Sequence, residues 1–164
     1  MDCRLCSIDA STTSTGISYF LNGEYQSSTL IQYDDKIADS RFNKMCLAIL
    51  RELDTLNPYI IYMEEAANPR NPHTQRLLVR LQGVVYSWAI SHGADCEFIR
   101  PSSWRSLVGI KSKGKRKNEL KIAAIEMVKS IFNITVNDDV AESILIGIAA
   151  INKYNPDLKE IFNE

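Results

Sequence analysis

At 164 residues, with 45% hydrophobic and 24% charged side chains, the chain is long enough for one packed core and too short for two full lobes. No run approaches ~18 consecutive apolar residues and no basic segment leads into a long apolar one, so neither membrane spanning nor export is expected, and a single cytoplasmic domain over 1–164 is. The net charge of −1 argues against a polyanionic partner, but its distribution argues for one: eleven of the nineteen basic residues fall in two short stretches. Arg70, Arg76 and Arg80 form one; Arg100, Arg105, Lys111, Lys113, Lys115, Arg116, Lys117 and Lys121 form the other, against Glu119 alone. A solvated, lysine-rich loop is the plain alternative.

In chain order, Leu5 to Asp9 reads as a buried strand, Gly16 to Leu21 as a second and Tyr25 to Ile31 as a third. Asn22-Gly23 predicts a tight hairpin between the last two, and Ser11 to Gly16 a hydroxyl-rich turn beside Asp9. A helix is predicted from Ser40 to Leu53, capped by Asp39 or Ser40, and then a wholly apolar strand from Tyr59 to Glu64. After the Asn- and Pro-rich segment 68–73, a helix from Thr74 to Ser91 should bury Leu77, Leu81, Val84, Val85 and Trp88, leaving Arg76, Arg80 and Gly83 outside. A fifth strand, Cys96 to Ile99, precedes a short helix ending at Leu107 and a loop from Lys111 to Lys117. Two helices close the chain, Asn118 to Ile131 and Asp138 to Lys153. The expected architecture is α/β: a mixed five-stranded sheet with helices on both faces, of the ribonuclease-H-like type. Cys3, Cys6, Cys46 and Cys96 read as reduced, packed thiols.

Four acids carry the chemistry. Asp9 and Glu64 each end an apolar strand, while Asp139 and Glu142, three apart, share one face at the start of the last helix. Singly each has a bland explanation: Asp9 accepting bonds from the Ser/Thr turn, Glu64-Glu65 as a solvated strand end, Asp139 and Glu142 complementing a helix dipole with Asn137 or Asp138 as cap. Gathered at one point they repel one another unless cations lie between them, which is the pattern of a divalent-metal site for phosphate chemistry.

The chain resembles the RuvC-like Holliday junction resolvases, near their phage-encoded members. The resemblance runs through Ser7-Ile8-Asp9-Ala10-Ser11 with Thr15-Gly16, Met63-Glu64, Leu81-Gln82-Gly83-Val84, Val108-Gly109-Ile110 and Asp139-Val140-Ala141-Glu142-Ser143. It implies that Asp9, Glu64, Asp139 and Glu142 surround two Mg²⁺ ions, for which Mn²⁺ substitutes. The family's glutamate lies nineteen residues before the glycine of the next helix, which selects Glu64 over Glu65. The family's last acid is usually Asp, so Glu142 is a departure, and Asp138 is the alternative in place of Asp139. The aromatic that bacterial members carry shortly after the glutamate is replaced by Ala66, Ala67 and Asn68. The activity implied is paired nicking of four-way junctions or other branched DNA, in recombination, repair or replication, by a homodimer built on the Thr74–Ser91 helix. Lys111, Lys113, Lys115 and Lys117 are candidates for the catalytic cation, while Arg70, Arg76, Arg80, Arg105 and Arg116 would join them in holding DNA. The competing expectations are a YqgF-like RNA-processing nuclease and a catalytically inactive DNA-binding relative.

Overall fold

Five strands, β1 (Arg4–Asp9), β2 (Ser14–Leu21), β3 (Glu24–Gln32), β4 (Ile60–Glu64) and β5 (Asp95–Ile99), make one sheet in the order β3-β2-β1-β4-β5. The structure, a computed structural model, describes residues 2–66 and 71–154. β1, β2 and β3 pair antiparallel, whereas β4 runs parallel to both β1 and β5, giving the mixed sheet expected. Asn22 and Gly23 both take positive φ, 54° and 87°, the pair of left-handed residues that a two-residue hairpin matched to strand twist requires.

Alternation along the strands sorts side chains between two cores. Cys6 and Ile8 of β1 and Ile61 and Met63 of β4 face α1 (Ala38–Leu56) and α2 (Pro72–His92), packing on Met45, Ile49, Leu53, Leu81 and Val85. Leu5 and Tyr62 face the other way, toward α3 (Pro101–Leu107), α4 (Lys117–Phe132) and α5 (Asp138–Tyr154). α5 is buried continuously from Val140 to Ile151, because the sheet covers one side of it and α3 and α4 cover the other.

Several boundaries differ from the sequence reading for physical reasons. β2 begins at Ser14, because Ser14 and Thr15 pair with Gln32 and Ile31, so half of the hydroxyl-rich segment is strand and not turn. α1 has Ile37 at its cap position with no side-chain cap, so neither Asp39 nor Ser40 caps it; Asp39 instead lies in the first turn, where its charge complements the helix dipole. In α4, Ile131 is exposed and Phe132 turns inward against Tyr25, ring centroids 4.9 Å apart. Val84 is only half-buried, and Ala89 takes its predicted place in the core. Cys6 and Cys46 are buried free thiols and Cys96 is half-buried, but Cys3 faces solvent, so the packed-thiol expectation fails there.

Candidate active site

The same alternation builds the site. Asp9 continues the side of β1 that carries Leu5 and Ser7, and Glu64 the side of β4 that carries Tyr62, so both carboxylates emerge toward α5. Glu65 falls on the opposite side and pairs with Arg100 at 3.3 Å, half exposed. Gln82 of α2 fixes the end of β4 by donating to the backbone oxygen of Glu64 at 2.9 Å.

Asp139 and Glu142 arrive through close contact between α5 and the sheet. Gly16 is the β2 partner of Asp9, and a Cβ on it would overlap the backbone of Asp139 and Val140. Only glycine lets the start of α5 rest on the strand there. Three buried serines reinforce the contact: Ser7 donates to the backbone oxygen of Ser143 at 2.6 Å, and Ser18 and Ser143 share a hydroxyl bond of 2.6 Å. Asn137 caps the helix, its Oδ1 accepting from the Val140 N–H at 3.0 Å.

All four predicted acids consequently line one groove of about 1030 Å³. The turn N–H groups of Ser11, Thr13 and Ser14 are taken by Thr15 Oγ1 and Ser11 Oγ, at 3.3, 3.2 and 2.9 Å, so none of these three donates to Asp9. Burial, followed by the charges of Glu64, Glu142 and Asp139, pushes the Asp9 carboxyl well above its ordinary range, and it shares a hydrogen bond with Glu142. Burial also raises Glu64, although Trp104 moderates the effect by donating its indole N–H to Glu64 Oε2 at 2.6 Å. Asp139 is raised by burial and held by Ser14, whose hydroxyl donates to it. Glu142 is bound to Arg105 at 3.0 Å in a pair largely removed from solvent. Asp138 behaves differently: burial would raise it, but the hydrogen bond and charge of Lys121 outweigh that and leave it low. It is neutralised locally, and Asp139 is not.

The basic residues separate. Arg105 and Lys117 line the groove, and the charge of Lys117 reaches Glu64. Lys111, Lys113, Lys115 and Arg116 are exposed on the connection before α4 and do not line it. Arg76 and Arg80 are exposed on α2, which turns Thr74, Leu78 and Gln82 to the groove instead; Arg80 borders a separate pocket facing Leu50 of α1. Arg70, Ala67 and Asn68 lie outside the described residues.

Ser14, Lys121 and Arg41 also line the groove, and buried Trp104 reaches Glu64 from the core; sequence reasoning placed Lys121 only in a basic stretch and Ser14 only in a turn, and gave Trp104 and Arg41 no role. A tryptophan in a short helix reads as core, and a serine or lysine has no signal of its own until its partner is known. Among the described residues, no three carboxylate, histidine or cysteine side chains stand close enough to hold one ion as placed; Asp139, Glu64 and Glu142 are each turned to a protein donor, Ser14, Trp104 and Arg105. The donor set nonetheless fits a hard cation: four carboxylates, no thiol or imidazole, and an Asp9 whose surroundings disfavour its charge.

This architecture is shared with solved structures. T. thermophilus RuvC in complex with a Holliday junction substrate matches with a TM-score of 0.72 at 14% identity, covering 93% of this chain and 95% of that one. The yeast mitochondrial Holliday junction resolvase Ydc2 matches with a TM-score of 0.57 at 17% identity, covering 98% and 84%. The chain has the RuvC fold. No protein-family model and no curated protein sequence matches it. No helix among the described residues is long and apolar enough to cross a membrane.

Proposed function

We propose that this RuvC-fold chain is a single nuclease domain: a divalent-metal-dependent endodeoxyribonuclease that cuts four-way junctions, and other branched DNA, by paired nicks. The observation that carries the reading is the convergence of Asp9, Glu64, Asp139 and Glu142 from β1, β4 and α5 on one groove that also receives Arg105 and Lys117. Carboxylates alone would repel DNA phosphate, so their burial together calls for cations. The T. thermophilus RuvC structure with a Holliday junction supports the choice of substrate.

In this reading Asp9, Glu64, Asp139 and Glu142 would together hold two Mg²⁺ ions, with Mn²⁺ an effective substitute. When bound, the ions supply an activated water and charge stabilisation for the leaving 3′-oxygen. The chain's own residues do the rest. Trp104 and Ser14 orient Glu64 and Asp139 through single hydrogen bonds, as outer partners of metal ligands commonly do. Arg105 and Lys117 place positive charge over the groove for the phosphate. The exposed basic loop before α4, together with Arg70, Arg76 and Arg80, holds the DNA arms through the backbone, without reading sequence.

A near-two-fold junction calls for a symmetric dimer. The face of α2 carrying exposed Val79, Tyr86 and Ile90, with Tyr86 beside exposed Phe98 at 6.3 Å, is the proposed interface. Gly83 lies on that helix with open space around it, so a second helix can approach closely there.

The test is cleavage of a labelled four-way junction beside a linear duplex, a fork and an RNA hairpin, with Mg²⁺ or Mn²⁺, by the parent and by Asp9→Asn. Paired nicks in the junction, lost in the variant while binding persists, are expected. A parent that cuts RNA and leaves the junction intact would overturn the reading.

A further inference from the structure

Positive charge reaches the groove from two sides. The α3–α4 side brings Arg105, Lys117 and Lys121, of which Arg105 and Lys121 are tied to Glu142 and Asp138. The opposite side, formed by β3 and α1, brings Gln32 and Arg41. Arg41 sits in the first turn of α1, and its Nη1 donates to the backbone oxygen of Asp35 at 2.5 Å, which ties the guanidinium back to the β3–α1 connection. Among the described residues no carboxylate pairs with it, since the nearby carboxylate of Asp35 is taken by Lys44 at 2.9 and 3.1 Å. Its Nε is buried without a partner. The guanidinium is half-buried, anchored on one amino group and not neutralised by a carboxylate, so its charge is left facing the groove. Its buried Nε is out of reach of a ligand, but the hydrogens left on the two amino groups can present a forked pair of donors to a phosphate diester.

We infer that Arg41 is a phosphate clamp on the β3–α1 side of the groove. It binds a backbone phosphate next to the scissile one, on the far side of the four carboxylates from Arg105 and Lys117. The inference rests on the nuclease reading above and adds to it the direction in which the cut strand crosses the molecule, from the α3–α4 side to the start of α1. Because the contact is to backbone and lies beside the reacting phosphate, it is made equally in the ground and transition states. It governs KM and leaves kcat alone.

The test compares the parent, Arg41→Gln and Arg41→Lys in two settings. Binding of a labelled four-way junction is followed by anisotropy across a salt series, with each protein carrying Asp9→Asn so that the DNA stays intact. Cleavage is followed in the active background with Mg²⁺, and thermal melting is recorded for every variant. Arg41→Gln should weaken binding about three- to tenfold and lower the slope of log affinity against log salt by about one. It should also raise KM while kcat stays within about twofold. Arg41→Lys should recover the slope but only part of the affinity, since it keeps the charge and loses the fork. An Arg41→Gln protein with the parent's slope and KM, in a parent that binds and cuts the junction, would overturn the clamp alone. So would a lowered melting temperature with the salt slope intact, which is the signature of a loop brace. A parent that binds no branched DNA would overturn the clamp and the nuclease reading together.

Discussion

Trp104 and Arg105 are neighbours in a seven-residue helix, yet each serves a different carboxylate: the indole N–H holds Glu64 and the guanidinium holds Glu142. Replacing Trp104 with Phe keeps most of the buried ring and deletes only the donor. We expect a folded protein with metal affinity or cleavage lowered about ten- to a hundredfold, the usual cost of losing a ligand's outer partner, measured by Mn²⁺ titration and by junction cutting. The carboxylates also set a pH dependence. Asp9, Glu64 and Asp139 are all raised in the fold above their ordinary values of 3.8, 4.5 and 3.8, so the native state holds more protons than the unfolded chain over that window. Stability without metal should therefore fall as pH rises from about 4 through the raised values, and not recover above them. Melting curves in EDTA from pH 4 to 8 should show that fall, and Mg²⁺ should reverse it at pH 8. Asp9→Asn should melt several degrees above the parent at pH 8 in EDTA, and match it at pH 4.

Between elements, the critical contact is α5 on β2. Gly16 is demanded by proximity and not by backbone conformation, because a methyl group there meets the peptide of Asp139. Gly16→Ala should push the start of α5 off the strand and cost about 1–3 kcal/mol, or roughly 2–12 °C in Tm for a chain of this size. Because the displaced peptide carries Asp139, cleavage should fall much further than stability does. A scan of Tm beside single-turnover cutting checks both; loss of stability with full activity would contradict this placement. The serines beneath the contact act as a second lock, tying β1 and β2 to the same turn of α5.

For the whole molecule, the exposed apolar face of α2 and the edge strand β5 predict assembly. Tyr86 is 47% exposed and Ile90 66%, more apolar surface than a lone helix face ordinarily leaves in water. Tyr86→Glu should give a monomer by sedimentation with an unchanged Tm, and should turn paired junction nicks into single, uncoupled ones. A dimer that persists would move the interface elsewhere.

Much of this organisation is legible in the sequence, and for a definite reason. Strand alternation and the Asn22-Gly23 hairpin are local signals, so the five strands, the five helices and the sheet class follow from them. The same alternation separates Glu64 from Glu65, and helical spacing puts Asp139 and Glu142 on one face. What only the tertiary structure decided is pairing across sequence distance. That Trp104 serves Glu64, that Ser14 serves Asp139, that Lys121 neutralises Asp138, and that Arg41 shares a groove with residues a hundred positions away depend on which elements pack together. The same holds for the basic residues, whose charge is plain in the sequence while their facing is not. Lys117 turns to the site, whereas Arg76 and Arg80 turn away from it, because burial of Leu77, Leu81 and Val85 sets the rotation of α2.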